Sequence, residues 1–174
     1  MTLHRPSNVD NLVVLKGIFD ILNNISQIVP IIFPSHPRTI KQIKNFKLEE
    51  MINYVKDTLS NELDKTNQNI LAISPLGYLD FLCLMSNAVL VLTDSGGIQE
   101  ETTILGIPCL TLRNNTERPI TIKEGTNILV GNNPDKIIKV THDVLKNGIP
   151  IKKIPRYWDG KASERILKVL KTLS

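Results

Sequence analysis

The stretch "LTDSGGIQEE", residues 92–101, joins an apolar run to an acidic segment through two adjacent glycines. The run Val89–Leu92 is aliphatic, as expected of a buried strand in a parallel sheet. A helix is predicted over 95–105, because Gly106 and Pro108 follow as a stop signal. This strand–turn–helix order is typical of a parallel α/β sheet.

The same alternation of strands and helices continues along the rest of the chain. Apolar runs and helical periodicity predict strands at 2–4, 30–34, 70–73, 89–92, 109–112 and 126–130, and helices at 12–25, 36–46, 78–85, 95–105, 134–146 and 165–173. Ser7 or Asn8 is expected to cap the first helix, and the polar segment 56–69 is expected to be a surface loop. The fold class predicted is α/β, an open, doubly wound, Rossmann-like parallel sheet.

Length and composition indicate one soluble domain over residues 1–174. The chain is 41% hydrophobic and 22% charged, which is ordinary for a globular protein with a real core. Its net charge is +4 with scattered lysines, so we expect a solvated surface and no nucleic-acid partner. No run approaches the roughly 18 apolar residues of a membrane helix, and no apolar leader follows Met1. We therefore expect a cytoplasmic protein with no membrane partner.

The cysteines and histidines give no sign of a metal site. Cys83 and Cys109 are isolated in apolar runs, which predicts reduced thiols in the core. The histidines, at positions 4, 36 and 142, lack the spacing of metal ligands. We therefore expect neither a metal nor a cofactor.

The predicted first strand is unusually short. Thr2–His4 has three residues, whereas strands usually have about five. We therefore expect this element to continue upstream of residue 1.

The Ser95-Gly96-Gly97 turn lies where a phosphate group could bind. The first N–H groups of a helix lack intrahelical partners, and the helix dipole favours an anion there. The glycines leave the backbone accessible, and Ser95 can cap the helix or donate to a phosphate oxygen. The alternative is a tight turn with a serine cap and no ligand, and the tripeptide alone does not decide between them.

Glu101 follows Gly97 by four residues, so it lies on the same helix face about one turn further along. Ile98 and Leu105 are expected to face the core on the opposite side. A carboxylate repels phosphate but can accept hydrogen bonds from the two hydroxyls of a ribose. Turn and glutamate together indicate a nucleoside-diphosphate site, although Glu101 alone could be an ordinary solvated residue.

Other segments that follow predicted strands should face the same crevice. They are His4-Arg5, the segment 75–81 and the segment 113–119. Arg118 is a candidate cation for a diphosphate. Phe81 could pack beside a base or lie in the core, and His4 could bind an anion or have a structural role.

Long motifs in this order resemble the non-hydrolysing UDP-N-acetylglucosamine 2-epimerases. They are "TLHRPSNVD", "FPSHPRT", "PLGYLDFLCLM", "LTDSGGIQEE", "GIPCLTLRNNTERPIT" and "EGTNILVG". The resemblance implies two Rossmann-like domains of the glycosyltransferase-B type, of which this chain is the second, UDP-binding one. It also implies a missing N-terminal domain, a homodimer at full length, a UDP-sugar substrate and a role in polysaccharide biosynthesis.

The resemblance assigns substrate-binding roles to particular residues. It implies that Ser95, Gly96 and Gly97 hold the diphosphate and that Glu101 holds the ribose hydroxyls. It also implies that Phe81 and the backbone around Leu76 flank the uracil. Members of the family can carry a polar residue where this chain has Leu76, which puts recognition of uracil by that side chain in question.

Catalytic and regulatory roles also follow from the resemblance. His4 is expected to reach the phosphates or the reacting sugar, and Arg118 to stabilise the departing UDP. Arg5 and His36 are candidates for a neighbouring regulatory sugar-nucleotide site.

The implied reaction interconverts UDP-N-acetylglucosamine and UDP-N-acetylmannosamine by elimination and re-addition of UDP. The carboxylates that move protons lie in the first domain of the family, and Glu100 and Glu117 are not obvious substitutes. We therefore expect the isolated chain to bind UDP without turnover. Two other functions remain open at this point: a glycosyltransferase of the same architecture, and a nucleotide-sugar-binding module without catalysis.

Overall fold

The computed structural model describes residues 1–55, 70–149 and 154–173. The segment 56–69, predicted to be a surface loop, lies outside the described residues. The strands are β1 (Ile31–Pro34), β2 (Asn53–Val55), β3 (Ile70–Ile73), β4 (Val91–Thr93), β5 (Cys109–Thr111) and β6 (Asn127–Leu129). The helices are α1 (Pro6–Val9), α2 (Leu12–Ser26), α3 (Pro37–Asn45), α4 (Tyr78–Ser86), α5 (Gly96–Leu105), α6 (Pro119–Lys123), α7 (Pro134–Asn147) and α8 (Ala162–Leu173).

The strands form two parallel three-stranded sheets, in the orders β1-β3-β2 and β4-β5-β6. The segment 1–4 lies between the two sheets and bonds to both. The Met1 amino group donates to the Ile32 carbonyl at 2.6 Å, and the Thr2 N–H donates to the Leu92 carbonyl at 2.9 Å. The predicted doubly wound α/β class is therefore confirmed.

The prediction of a regular strand at 2–4 is wrong, because this segment forms no regular secondary structure. The N–H groups of His4 and Arg5 donate to the carboxylate of Asp94 and not to a strand carbonyl. From His4 onwards the backbone therefore contacts the turn that follows β4.

The core lies between the sheets and the helices that cover them. Phe19 of α2 and Phe33 of β1 are fully buried, and their ring centroids are 6.2 Å apart. The helix α2 packs against both α1 and α7. Fully buried aliphatic side chains complete this core, among them Leu15, Leu22, Ile25, Ile43, Ile70, Leu110 and Ile137. Such apolar burial is the main stabilising contribution to the fold.

The cap of the first long helix differs from the prediction. Asn11, and neither Ser7 nor Asn8, caps α2, since its side chain accepts hydrogen bonds from the N–H groups of Val13 and Val14. Ser7 and Asn8 lie inside α1, a four-residue helix too short for its apolar periodicity to be recognised. The structure also contains β2, α6 and a 3₁₀ turn at Glu49–Met51, none of which was predicted.

The buried face of α5 is polar, so the prediction that Ile98 and Leu105 face the core is wrong. The buried residues of this helix are Gln99, Thr102 and Thr103, whereas Leu105 is 37% exposed. The threonine hydroxyls donate to backbone carbonyls one turn earlier in the helix, which satisfies them inside the protein.

The two cysteines have different environments. Cys109 is buried as predicted, and burial raises the pKa of its thiol to about 11. The prediction for Cys83 is wrong, because this residue is exposed on α4.

The helix α8 carries apolar side chains that point to solvent. Ile166, Leu167 and Leu170 are each more than half exposed. Within the ranges that the structure describes, no helix has the length and apolar character needed to span a membrane.

Candidate functional site

The turn after β4 presents an accessible backbone at the start of a helix. Helix α5 begins at Gly96, with Ser95 in the N-cap position. The Ser95 hydroxyl makes no capping bond within the described part of the chain, and the Ser95 N–H donates to Thr93 Oγ1 at 3.0 Å. Gly97 is exposed, and a Cβ built there would meet no described atom within 4 Å. The N–H groups of this first turn are therefore open to an anion.

Asp94 fixes the end of the segment 1–4 against this turn. Its carboxylate is fully buried and accepts hydrogen bonds from the N–H of Arg5 at 2.8 Å and from Asn8 Nδ2 at 3.2 Å. His4 bonds to the same carboxylate through its N–H, at 3.1 Å, and through Nδ1, at 2.9 Å. Burial alone would favour the neutral acid, but the bonds from His4 and Arg5 outweigh it and lower the pKa of Asp94.

The contact with Asp94 orients the imidazole of His4. Because Nδ1 faces the buried carboxylate, Nε2 is the ring nitrogen left for a ligand. His36 lies beside it, with ring centroids 5.7 Å apart, and His36 Nδ1 accepts a hydrogen bond from the Arg38 N–H at the start of α3. The structure therefore brings His4 and Arg5 to Asp94, the residue before the glycine turn, and places His36 beside His4.

The loop between β5 and α6 supplies charged side chains to the same region. Glu117 makes two hydrogen bonds with Arg113, at 2.7 and 2.8 Å, and these bonds lower the pKa of Glu117 to about 2. Its Oε2 would lie 3.9 Å from a Cβ built on Gly96. The next residue, Arg118, pairs with Glu100 of α5 through an Nε–Oε1 contact of 2.8 Å. Arg118 is thus held one helical turn from the glycines.

Glu101 faces a cleft of about 510 Å³ between α4 and α5. The cleft is lined by Tyr78, Leu82 and Trp158 together with Glu101, so it contains both apolar side chains and a carboxylate. Burial and the neighbouring Glu100 raise the pKa of Glu101. A cleft of this composition suits a ligand that has both a flat ring and hydroxyl groups.

Phe81 and Leu76 are not among the described residues that line the cleft of Glu101. Phe81 lines a separate apolar cavity of about 430 Å³, together with residues of the segment 1–4, β1 and β4. Leu76 lies between β3 and α4 and is 36% exposed. The contacts of Phe81 and Leu76 with uracil therefore stay predictions.

A small polar pocket of about 290 Å³ adjoins the site. Arg5 and Arg113 line it with several asparagines, among them Asn8 and Asn114. The Nε atom of Arg5 is buried and has no hydrogen-bond partner among the described residues.

Sequence reasoning missed the residues that hold the site together. Asp94 stands directly before Ser95, and an acidic residue at a strand end was the available signal. The pairing of Arg113 with Glu117 lies in the loop between β5 and α6, where a separation of four residues predicts no contact. The buried role of Gln99 had no such signal.

Comparison with known proteins gives a consistent picture. A family model described as UDP-N-acetylglucosamine 2-epimerase matches residues 1–171. The UDP-N-acetylglucosamine 2-epimerase of Methanocaldococcus jannaschii is 46% identical over 172 residues, which cover 98% of this chain and 43% of that protein. The UDP-2,3-diacetamido-2,3-dideoxy-D-glucuronate 2-epimerase of Pseudomonas aeruginosa is 35% identical over 173 residues, covering 99% of this chain and 44% of that protein.

Solved structures agree with the sequence comparisons. The crystal structure of the M. jannaschii epimerase in complex with UDP-GlcNAc and UDP has a TM-score of 0.80 at 46% identity, over 98% of this chain and 44% of that one. The chain thus spans less than half the length of the curated relatives it matches. Because the match runs through nearly all of its residues, the chain belongs to the UDP-N-acetylglucosamine 2-epimerase family.

Proposed function

We propose that this domain binds the UDP part of UDP-N-acetylglucosamine. Together with a first domain it would act as an epimerase that forms UDP-N-acetylmannosamine by elimination and re-addition of UDP. The observation that carries the proposal is the open glycine turn at the start of α5, with Glu101 one helical turn further along. Family membership supports the choice of substrate.

The diphosphate and the ribose would occupy different parts of this surface. The N–H groups of Gly96 and Gly97, with the hydroxyl of Ser95, would hold the diphosphate. Glu101 would accept hydrogen bonds from the ribose hydroxyls. Arg118 would leave Glu100 and neutralise charge on the departing UDP, and Nε2 of His4 would reach a phosphate or the sugar. Cations and backbone N–H groups in such an arrangement stabilise a leaving phosphate.

The proton at C2 of the sugar requires a base, and the carboxylates beside the turn are poorly suited to this role. Asp94 is fully buried and bonded to His4 and Arg5. Glu117 is held by two bonds from Arg113, which lower its pKa to about 2, so it is a weak base. Glu100 is paired with Arg118. We therefore propose that the base belongs to the first domain of the complete protein.

For the complete protein we propose a cytoplasmic homodimer that serves polysaccharide biosynthesis. Membership of the epimerase family supports this proposal. Arg5 and His36 would contribute to a regulatory sugar-nucleotide site, and their position beside His4 supports that role.

If this chain binds UDP and the first domain supplies the base, the 174-residue chain alone does not exchange the C2 proton. The purified chain and UDP-N-acetylglucosamine are incubated in deuterated water, and deuterium at C2 is followed by NMR. We expect no enzymatic exchange from the chain alone, and exchange when a first-domain polypeptide is added. Exchange by the chain alone at a typical enzymatic rate, roughly 1 s⁻¹ or faster, would place the base in this half.

The ribose role of Glu101 predicts a ligand-dependent effect of Glu101→Ala. The variant is expected to bind UDP more weakly by about 1–3 kcal/mol, because it loses hydrogen bonds to a charged group. The 2′,3′-dideoxy analogue of UDP lacks these hydroxyls and should bind both proteins alike. Calorimetric titration with both ligands measures the difference. Equal weakening for both ligands would rule out the ribose contact.

A further inference from the structure

A closed ring of hydrogen bonds lies beneath the loop that carries Arg118. Thr116 Oγ1 donates to Gln99 Oε1 at 2.6 Å and accepts from the Arg118 N–H at 2.9 Å. Thr121 Oγ1 donates to the Arg118 carbonyl at 2.7 Å and accepts from Asn127 Nδ2 at 3.2 Å. Asn127 Nδ2 also donates to Gln99 Oε1 at 3.2 Å, which completes the ring.

Three members of this ring are buried, whereas Thr116 is half-buried and Arg118 is exposed. Gln99 and Thr121 are fully buried, and Asn127 is 1% exposed. Thr111 of β5 donates to Asn127 Oδ1 at 2.6 Å and ties the ring to the sheet. Hydrogen bonds are electrostatically stronger in such an interior than in water. The Oε1 atom of Gln99 accepts two of these bonds, whereas its Nε2 atom is buried without a hydrogen-bond partner among the described residues.

The ring connects the backbone of Arg118 to α5, the helix that begins at the glycine turn. Gln99 follows Gly97 by two residues on α5, so the distance between turn and loop is set through Gln99 and Thr116. The side chain of Arg118 is held to the same helix through Glu100. The backbone and the side chain of Arg118 are therefore both linked to residues of α5.

We propose that Thr116 is a positioning residue that places Arg118 relative to a diphosphate on the glycine turn. Thr116 is the only ring member, among the described residues, that bonds both Gln99 and the Arg118 N–H. Without its hydroxyl the backbone of Arg118 loses its hydrogen-bonded link to Gln99, while the Arg118 side chain keeps its contact with Glu100. This inference rests on the proposed contact between Arg118 and the diphosphate.

Thr116→Val tests the role, since it removes the hydroxyl and keeps the shape of the side chain. Thr141→Val is the matched control, because the Thr141 hydroxyl is fully buried and has no hydrogen-bond partner among the described residues. We expect Thr116→Val to weaken UDP binding roughly three- to thirtyfold and to leave uridine binding unchanged. Thr141→Val should leave both affinities unchanged.

Further variants distinguish a specific effect on the position of Arg118 from a general disturbance of the fold. Thr116→Ser retains the hydroxyl and should keep the affinity of the unmodified protein for UDP. Arg118→Ala and the double variant Arg118→Ala/Thr116→Val should bind UDP equally weakly, because Thr116 acts through Arg118. If Thr116→Val does not fold, Thr116→Ala removes the same hydroxyl and takes its place.

The outcomes distinguish this inference from the proposed function. If Arg118→Ala weakens UDP binding but Thr116→Val does not, the positioning role is overturned and the diphosphate contact stands. Equal weakening of UDP and uridine by Thr116→Val also overturns it, since the effect would not depend on the phosphates. If Arg118→Ala binds UDP normally, the diphosphate contact is overturned, and the positioning role with it.

Discussion

Gly97→Asp is expected to abolish UDP binding while the protein remains folded. Gly97 is exposed at the first turn of α5, where an added Cβ meets no described atom within 4 Å, so the side chain fits. An aspartate in the first turn also suits the helix dipole. Its negative charge, however, would lie next to the diphosphate. Two like charges 4 Å apart near a protein surface repel each other by about 4 kcal/mol. Calorimetry should show affinity reduced by about a hundredfold or more.

Gly17→Asp is the matched control for Gly97→Asp. Gly17 lies in α2, where an added Cβ also has no described neighbour within 4 Å. The control adds the same charge away from the turn and should bind UDP like the unmodified protein. Normal UDP binding by a folded Gly97→Asp protein would remove the glycine turn from the site.

Gly125→Ala is expected to destabilise the fold by about 3 kcal/mol, the range for overpacking a tight interior. Gly125 is buried, and a Cβ there would overlap the side chain of Thr103 on α5 and lie 2.6 Å from the Thr121 carbonyl. The backbone of α6 cannot withdraw easily, because Thr121 belongs to the hydrogen-bonded ring beneath Arg118. Thermal unfolding should show a melting temperature lower by roughly 10 °C.

Gly17→Ala is expected to change the stability in the opposite direction, because Gly17 is not crowded. Its methyl group would meet no described atom within 4 Å inside α2, so alanine should stabilise the helix by about 0.5–1 kcal/mol. Similar melting temperatures for Gly125→Ala and the unmodified protein would show that α5 and α6 are less tightly packed than the structure indicates.

The parts of the fold that follow from local pattern were predictable from the sequence. Helices α2 and α7 have long apolar repeats, and each begins and ends within a few residues of its predicted bounds. Helix α5 was recognised from the glycine turn and the stop signal at Gly106, whose φ of 72° is the left-handed conformation that ends such a helix. Helices α1 and α6 were missed because four or five residues are too few to show a period.

The candidate site was predictable only where neighbouring residues define it. The Ser95–Gly97 turn and Glu101 lie in one continuous stretch, so their spacing could be derived from helix geometry. The contact of His4 with Asp94 joins residues 90 positions apart, and nothing in the sequence pairs them. The polar buried face of α5 escaped prediction for the same reason, because Gln99 finds its partners on distant segments.

The central claim is that UDP binds through the backbone N–H groups at the start of α5. It is tested most directly by titrating UDP into the ¹⁵N-labelled 174-residue chain and following the backbone amide signals by NMR. If this claim is correct, the largest shifts occur at Gly96 and Gly97, while the signals of Gly148 and of Gly17, which lies in α2, remain unchanged. Unmoved signals from Gly96 and Gly97 at saturating UDP would contradict it.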